Sequence, residues 1–363
     1  ILLLTMPVTM MGRLCTVAAE IVVVDRPSVG AEPPHYVGNR APLLPSPLVR
    51  LPIGAIEPRG WLRGQLELGA AGMVGRLNEI SPWCRFEGNS WSDPAGAGHS
   101  GWEELPYWLK GFGDLGYVLG DQAIIDEARR WIEATLRSQD SSGWFGPRGL
   151  QTSLDGKADL WPQMVMLNCL QSYYEYSGDP RVLELMARYF RWQTSVPDAD
   201  FLVGYWPHIR GGDNQESVYW LYNRTGDSFL LELAGKVGAQ TTDWAGLQAK
   251  YQVGEMLIGQ HRMNMATHVV NNAQGIKTPA VLYVQTGDAW HREAPRQAID
   301  NLMQHHGQPN GIWSGDEHLH GTDPTSGTEL CAVAEYMYSL EEMLRILGDA
   351  ALGDILEQVA SNA

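Results

Sequence analysis

One short pattern recurs along the sequence and limits the fold more than any other feature. A helix-like run ends in Gly-Asp and a second helix-like run follows, at Gly120-Asp121, Gly178-Asp179, Gly226-Asp227, Gly287-Asp288 and Gly348-Asp349. Glycine ends a helix in the left-handed conformation, and an aspartate one residue later accepts hydrogen bonds from the free N–H groups of the next helix. Each Gly-Asp pair therefore predicts the tight turn of an αα-hairpin.

The runs on both sides of these turns have helical periodicity. Around the first turn the apolar positions are Leu105, Trp108, Leu109, Phe112, Leu115 and Leu119, then Ile124, Ile125, Ala128, Trp131, Ile132 and Leu136. Trp161-Pro162 opens the second hairpin, and proline is favoured at the first helical position. We also predict one helix over residues 60–77. Repeated αα-hairpins predict an all-α fold, either an open solenoid or a closed ring.

The connectors between hairpins are longer and rich in glycine and tryptophan. They cover residues 138–157, 197–214, 244–264 and 304–328. Because each connector follows the second helix of a hairpin, we expect all of them at one end of the bundle, where a site would form. The long loop 81–100 is either a wall of that site or an ordered crossover, since loops of this length are usually functional or mobile.

Composition narrows the class of partner. The net charge of −16 argues against a nucleic-acid partner, whose phosphates require a basic surface. The four cysteines are too scattered for a disulfide framework or a two-pair zinc ribbon. Trp is abundant, with 14 residues, and indole rings stack on sugar rings, although large aromatic residues also fill cores. We therefore predict a carbohydrate substrate, with Trp91 and Trp144 as candidate stacking residues.

The N-terminal region has a different composition from the rest. Residues 1–24 are mostly apolar but are interrupted by Arg13 and Glu20, which fits a secretory signal or a mistranslated leader better than a membrane span. Residues 25–48 are proline-rich and predict an extended leader, so the main domain would cover residues 49–363. We expect a secreted or periplasmic protein, with a cytoplasmic location as the alternative; the oligomeric state is left open.

The segment 315–332, GDEHLHGTDPTSGTELCA, concentrates the reactive side chains. Its first part has the composition of a loop, and its second part begins a helix for which Thr328 is the expected N-cap. Glu329 and Cys331 would then lie in the first turn, where free N–H groups favour a carboxylate or a thiolate. Carboxylates and thiolates are both zinc ligands, and Glu317 is a candidate acid/base. The alternative is a solvated loop followed by a core cysteine.

In this order, the segments resemble the β-L-arabinofuranosidases of glycoside hydrolase family 127. The resemblance begins near residue 44 and runs to the end of the chain. It is carried by GWLRGQLELGAAG, GWFGP, YYEYSGD, THVVNNAQGIKTP, and GDEHLHG followed by GTELCA. It implies an (α/α)6 toroid that is incomplete at its C-terminus, without the β-sandwich domains of the family.

The resemblance also implies a mechanism. In the family a zinc-bound cysteine attacks the sugar and a glutamate protonates the leaving oxygen, so hydrolysis of β-L-arabinofuranosides or related plant-glycan sugars proceeds with retention. Glu317 resembles that acid/base, with Asp316 as the alternative. Glu329 and Cys331 resemble two of the four zinc ligands. The other two, which include the nucleophile, are expected beyond the present C-terminus.

Two histidines are further candidate site residues. By resemblance His268 contacts the substrate, and we predict the same for His318. Because two ligands cannot complete a tetrahedral site, we expect little turnover and weak zinc binding from these 363 residues alone. One alternative is a metal-free (α/α)6 hydrolase, lyase or epimerase that uses Glu317, Asp316 or His318. Another is a non-catalytic carbohydrate-binding toroid that uses Trp83, Trp91, Trp144 or Trp206.

Overall fold

The computed structural model describes residues 36–250, 266–323 and 325–363, with side chains omitted at residues 249 and 250. The predicted signal or leader at residues 1–24 lies outside the described residues, as does most of connector 244–264. Within the described ranges, no helix has the length and apolar character needed to cross a bilayer.

The described residues are mainly helical, as predicted. The α-helices are α1 (Gly60–Ala71), α2 (Met73–Ile80), α3 (Glu104–Leu119), α4 (Gln122–Arg137), α5 (Trp161–Ser177), α6 (Pro180–Ser195), α7 (Tyr205–Ile209), α8 (Gly211–Thr225), α9 (Phe229–Gln240), α10 (Trp244–Lys250), α11 (Val269–Gly275), α12 (Thr278–Thr286), α13 (Ala289–His306), α14 (Leu330–Leu347) and α15 (Ala350–Asn362). Two short strands, β1 (Gly315–Asp316) and β2 (His318–Leu319), pair antiparallel, with Gly315 opposite Leu319. The all-α prediction is confirmed.

The five Gly-Asp turns form as predicted. Their glycines all have left-handed φ values, from 66° to 75°. Four of the aspartates accept a backbone N–H at the start of the following helix; they are Asp121, Asp179, Asp288 and Asp349. Asp227 is different, because Ser228 precedes α9 and no side chain caps that helix. The turns connect α3 to α4, α5 to α6, α8 to α9, α12 to α13, and α14 to α15.

The hairpins pack side by side in chain order. Their first helices touch one another, α3 with α5, α5 with α8, α8 with α12, and α12 with α14. Second helices pack outside them, with α4 against α6 and α6 against α9. Inner helices are therefore buried on several sides, while outer helices such as α4 carry a single apolar face. This two-layer arrangement is the toroid that the family resemblance implied, one of the two forms that the repeat left open.

The prediction of a single helix over residues 60–77 is wrong. The structure has two helices, α1 and α2, which are separated at Gly72. The chain turns back so closely that a Cβ atom on Gly75 would lie 1.8 Å from the Ala70 carbonyl oxygen. Only a glycine can allow this approach, so the break follows from a steric requirement that helical periodicity does not report.

A buried group of charges lies between the inner helices. Lys277 is fully buried, and its Nζ atom lies 3.1 Å from Oδ1 of Asp213 on α8. The same ammonium lies 5.2 Å from the ring centre of Tyr338 on α14. The Nζ atom of Lys110 on α3 lies 4.4 Å from that ring centre. Burial disfavours the charge of Lys277, but the neighbouring carboxylates together raise its pKa.

Residues 36–48 lie across the end of the toroid that carries the Gly-Asp turns. They have no helix or strand, and a turn closed by the Leu43 N–H and the Arg40 carbonyl oxygen, at 3.0 Å, interrupts them. The Leu44 N–H donates to the Val284 carbonyl oxygen at 2.8 Å, and the Tyr222 hydroxyl donates to the Ala41 carbonyl oxygen at 2.6 Å. Leu43 is buried in the core. We call residues 36–50 the strap, because they connect helices that are far apart in sequence.

Candidate active site

The connectors meet at the other end of the toroid, as predicted. Hydrogen bonds and an ion pair link the connectors to one another and to the residues beside them. They are Arg148 N to Gly96 O at 2.9 Å, Lys157 Nζ to Asp200 Oδ1 at 3.0 Å, Thr242 N to His208 O at 3.1 Å, and Leu319 N to Thr267 O at 3.0 Å. The described part of connector 244–264 begins with the helix α10, which was not predicted. This connector end therefore brings together side chains from separated parts of the sequence.

Glu317 lies at the tip between β1 and β2. Its φ is +67°, a left-handed conformation that is uncommon for a residue with a side chain. Two backbone hydrogen bonds hold it there, because Val269 N–H donates to the Glu317 carbonyl oxygen at 2.9 Å and Glu317 N–H donates to Glu329 Oε2 at 3.2 Å. The strained tip is thus fixed between the start of α11 and the carboxylate of Glu329.

His268 contacts the Glu317 side chain directly. As the N-cap of α11, it accepts the Asn271 N–H at Nδ1, at 3.3 Å, so its proton lies on Nε2. That Nε2 atom lies 3.2 Å from Glu317 Oε2. Burial, followed by the positive charge of Arg210 and the nearby His318, lowers the pKa of His268 to about 4. His268 is therefore a neutral donor to Glu317 at neutral pH.

His318 lies beside this pair. Its ring centre is 6.0 Å from that of His268, with the planes nearly perpendicular. Its Nδ1 atom is 2.8 Å from the Thr267 hydroxyl, which fixes the ring orientation. The structure thus brings together three predicted site residues, Glu317, His268 and His318. Asp316 and Glu317 both have exposed side chains, but it is the Glu317 carboxylate that contacts His268, so the geometry favours Glu317 as the carboxylate of this site.

The predicted zinc ligands lie at the start of α14, but the predicted cap is wrong. The N-cap position is Glu329 and not Thr328, since α14 begins at Leu330. No side chain caps this helix, and Glu329 Oε2 instead accepts the Glu317 N–H. Cys331 is exposed, and its thiol hydrogen-bonds to Glu329. Burial and then the Glu329 carboxylate raise the pKa of Cys331. The helix start therefore does not by itself ionise this thiol, contrary to the expectation from the helix dipole.

The donors near Glu329 do not complete a zinc site. Structural zinc takes four ligands, and Glu329 and Cys331 supply two. Among the residues that the structure describes, no cluster of three or more His, Cys, Asp or Glu side chains is arranged to hold a metal. Cys84 and Cys169 are buried free thiols, and Cys169 donates to the Pro106 carbonyl oxygen. A tetrahedral zinc would need two donors from outside the described residues.

An arginine that was not predicted from the sequence lies at the centre of the site. The Arg210 guanidinium lies between the rings of Trp161 and Trp206, at 4.3 and 4.4 Å from their centres. Its Nε donates to Asn271 Oδ1 at 2.9 Å, and Nη1 lies 3.5 Å from Glu103 Oε2. This arginine is therefore a buried, oriented cation. Its position in connector 197–214 was the one sequence signal that could have found it.

Glu103 is a second carboxylate in the same cluster. It accepts a hydrogen bond from the Trp161 indole N–H in addition to its contact with Arg210. Burial nevertheless raises its pKa above the ordinary range of a glutamate. Trp206 connects this cluster to the Glu317 pair, because its ring centre lies 5.6 Å from that of His268.

The prediction that Trp91 and Trp144 stack on sugar is wrong. Both side chains are 0% exposed, and their indole N–H groups donate to the carbonyl oxygens of Trp102 and Pro147. Trp91 packs so closely on Gly146 that a Cβ atom there would lie 2.5 Å from the ring. The loop 81–100 is thus an ordered crossover that fills the core. Trp102 and Trp206, which are only partly buried, are the tryptophans that border the site.

Comparisons with known proteins agree with this architecture. Among solved structures, the chain is similar to a GH127 β-L-arabinofuranosidase from Geobacillus stearothermophilus T6, with a TM-score of 0.64 and 17% identity over 85% of this chain and 55% of that one. A GH127 β-arabinofuranosidase gives a TM-score of 0.64 and 15% identity, over 87% of this chain and 54% of that one. A sugar epimerase from a ruminal bacterium gives 0.51 and 12%, over 83% and 86%.

The chain spans about half the length of the two GH127 structures. At these identities the structural similarity establishes the fold alone. A comparison with curated protein sequences found no match. The sequence model of the β-L-arabinofuranosidase GH127 catalytic domain matches residues 74–363, which is most of the chain and contains every site residue described above. The chain therefore belongs to the GH127 β-L-arabinofuranosidase family.

Proposed function

We propose that the protein is a retaining glycoside hydrolase that acts on β-L-arabinofuranosides or related plant-glycan sugars, with Glu317 as its acid/base. The observation that carries this proposal is the contact between Glu317 Oε2 and the protonated Nε2 of His268, at 3.2 Å. Membership of the GH127 family supports the reaction class. The substrate named for the similar solved structures supports the choice of sugar.

The Glu317–His268 contact determines which oxygen can deliver a proton. His268 Nε2–H occupies Oε2, so in the acid form the transferable proton is on Oε1. From there it passes to the glycosidic oxygen as the bond to the sugar breaks, and Glu317 then deprotonates the incoming water. His268 keeps this orientation because its low pKa, about 4, leaves it neutral and its Nδ1 is occupied by the Asn271 N–H.

The surrounding side chains suit a sugar. Glu317 is 69% exposed, so a bound sugar ring would cover it and supply the desolvation that a proton-donating carboxyl needs. We propose that Trp206 and Trp102 pack against the ring faces of the substrate and that His268 and His318 contact its hydroxyl groups. Arg210 holds Trp206 and Asn271 in place for these contacts.

We also propose zinc as the cofactor, with Glu329 and Cys331 as two of its ligands. Bound zinc would keep a cysteine ionised as the nucleophile of a retaining reaction. The described residues supply only half of a tetrahedral set, so their own roles end at ligation and at the contact from Glu329 to the Glu317 N–H. A cysteine nucleophile, as the family implies, would come from outside the described residues.

The proposal is tested on the full-length protein with aryl β-L-arabinofuranosides. We expect NMR to show that the first product is the β anomer. We also expect Glu317→Gln to slow the hydrolysis of substrates with poor leaving groups far more than that of substrates with good ones, because good leaving groups need no proton. Zinc content and a Cys331→Ser variant are measured in parallel. An α-anomeric first product, or full activity in Cys331→Ser, would replace this mechanism with a metal-free one.

A further inference from the structure

A cavity lies at the turn end of the toroid, away from Glu317. Its volume is about 630 Å³, within the range of small-molecule sites in proteins. The inner helices α5, α8, α12 and α14 form its walls, and the strap forms its roof. Nothing in the proposed hydrolysis uses this space.

Five of the six charged side chains that line the cavity are in ion pairs, and the sixth, Glu216, is hydrogen-bonded to Tyr338. Arg224 Nη2 lies 3.1 Å from Glu175 Oε1, and the Arg224 guanidinium also stacks 3.6 Å from the centre of the Trp220 ring. Arg345 pairs with Glu342 on the next turn of α14. Because these pairs neutralise each other, the walls do not require an ion as their ligand.

Two polar atoms in the walls have unused hydrogen-bonding capacity. Glu216 Oε2 accepts the Tyr338 hydroxyl at 3.1 Å, but Glu216 Oε1 has no partner. Arg224 Nε likewise has none. A buried acceptor and a buried donor without partners are unfavourable, and a ligand with hydroxyl groups relieves both. Aromatic rings of Tyr36 and Tyr174 border the same space and offer apolar contacts.

We propose that this cavity is a second saccharide site, which binds a neutral sugar of one or two rings without hydrolysing it. Sugar hydroxyls donate and accept, as Glu216 and Arg224 require, and the C–H faces of the ring pack against tyrosine. The strap closes over the ligand, and its hydrogen bonds to Val284 and Tyr222 keep it on the toroid. The site is independent of the proposed hydrolase function.

The test uses saturation-transfer NMR and calorimetry with L-arabinose and lactose as the probes. We expect at least one probe to bind the 363-residue chain with a Kd of about 1 mM or tighter. Glu216→Gln, which places an amide at the unpartnered oxygen, should weaken that binding at least about tenfold, the effect of losing one hydrogen bond. Glu317→Gln, at the opposite end, should leave the same Kd within about twofold.

A rim variant keeps the test decisive if Glu216→Gln fails to fold. Tyr36 is partly exposed at the cavity edge, so Tyr36→Ala should retain the helical circular dichroism spectrum and weaken binding. Two results would overturn the proposal. In the first, neither sugar binds the wild-type chain at a sugar concentration of about ten times the expected Kd. In the second, binding is lost in Glu317→Gln and kept in the variants of Glu216 and Tyr36.

Discussion

The Gly-Asp turns and the connector end of this toroid are built in opposite ways. At the turn end, each Gly-Asp turn is completed by atoms within a few residues, as when Asp121 accepts the N–H groups of Ala123 and Ile124. At the connector end the important contacts are long-range, since Arg210 and its partner Asn271 are 61 residues apart. The comparison teaches that local repeats build the ring, while the site depends on where the ring places distant segments.

The largest expected effect is at the connector end. We expect Glu317→Gln to lower kcat by about 10²- to 10⁴-fold, the usual contribution of a general acid/base. Hydrolysis of an aryl β-L-arabinofuranoside by the full-length protein measures it. Asp316→Asn is the matched control, because it removes the neighbouring carboxylate of the same tip and keeps the Glu317–His268 contact, so kcat should be nearly unchanged. If Asp316→Asn is the inactive variant, the tip of β1–β2 presents the other carboxylate.

The next effect tests the buried charges that lie between the inner helices. Lys277→Met leaves Asp213 buried and unpaired, so we expect a loss of about 3–5 kcal/mol in the free energy of unfolding, measured by urea denaturation. The control is Lys157→Met, whose ion pair with Asp200 is exposed and contributes at most about 1 kcal/mol. Adding Asp213→Leu to Lys277→Met should restore much of the loss. Equal losses in the two lysine variants would show that the buried pair is not special.

A smaller effect follows from the depressed pKa of His268. Unfolded histidine binds a proton below pH 6.5 but folded His268 does so only near pH 4, so its contribution to stability is complete above pH 6.5 and declines as the pH falls to about 4. The resulting decline in the free energy of unfolding is at most about 3 kcal/mol. His268→Asn keeps an N-cap for α11 and should remove this decline, as urea denaturation at several pH values would show. Parallel pH profiles for the two proteins would contradict the buried, neutral imidazole.

The smallest effect separates the turns themselves. We expect Asp121→Ala to lose about 0.5–2 kcal/mol of stability, because two N–H groups at the start of α4 lose their acceptor. Asp227→Ala is the matched control and should cost less than about 0.5 kcal/mol, since Asp227 caps no helix. Thermal unfolding of the two variants measures the difference. Equal losses would mean that the Gly-Asp turn is stabilised by something other than its cap.

The fold could be predicted much further than the site. The turn glycines and their aspartates act locally, so their spacing alone predicted five hairpins and a common end for the connectors. His268 was found through resemblance, Glu317 through both its loop and the resemblance, and His318 through its place beside Glu317; the structure brings the three together. Trp91 and Trp144 were misassigned, because a tryptophan has the same appearance in sequence whether its ring faces a sugar or the close-packed core.

The sequence by itself determined the hairpins and the all-α class, because helix caps and amphipathic periodicity act over a few residues. Its segments, taken in order, also indicated the family. Only the tertiary structure decided that His268 donates to Glu317 and that Arg210 lies between two tryptophans. These contacts join helices and loops from different hairpins. Their existence depends on how the ring packs, and no local pattern of residues contains that information.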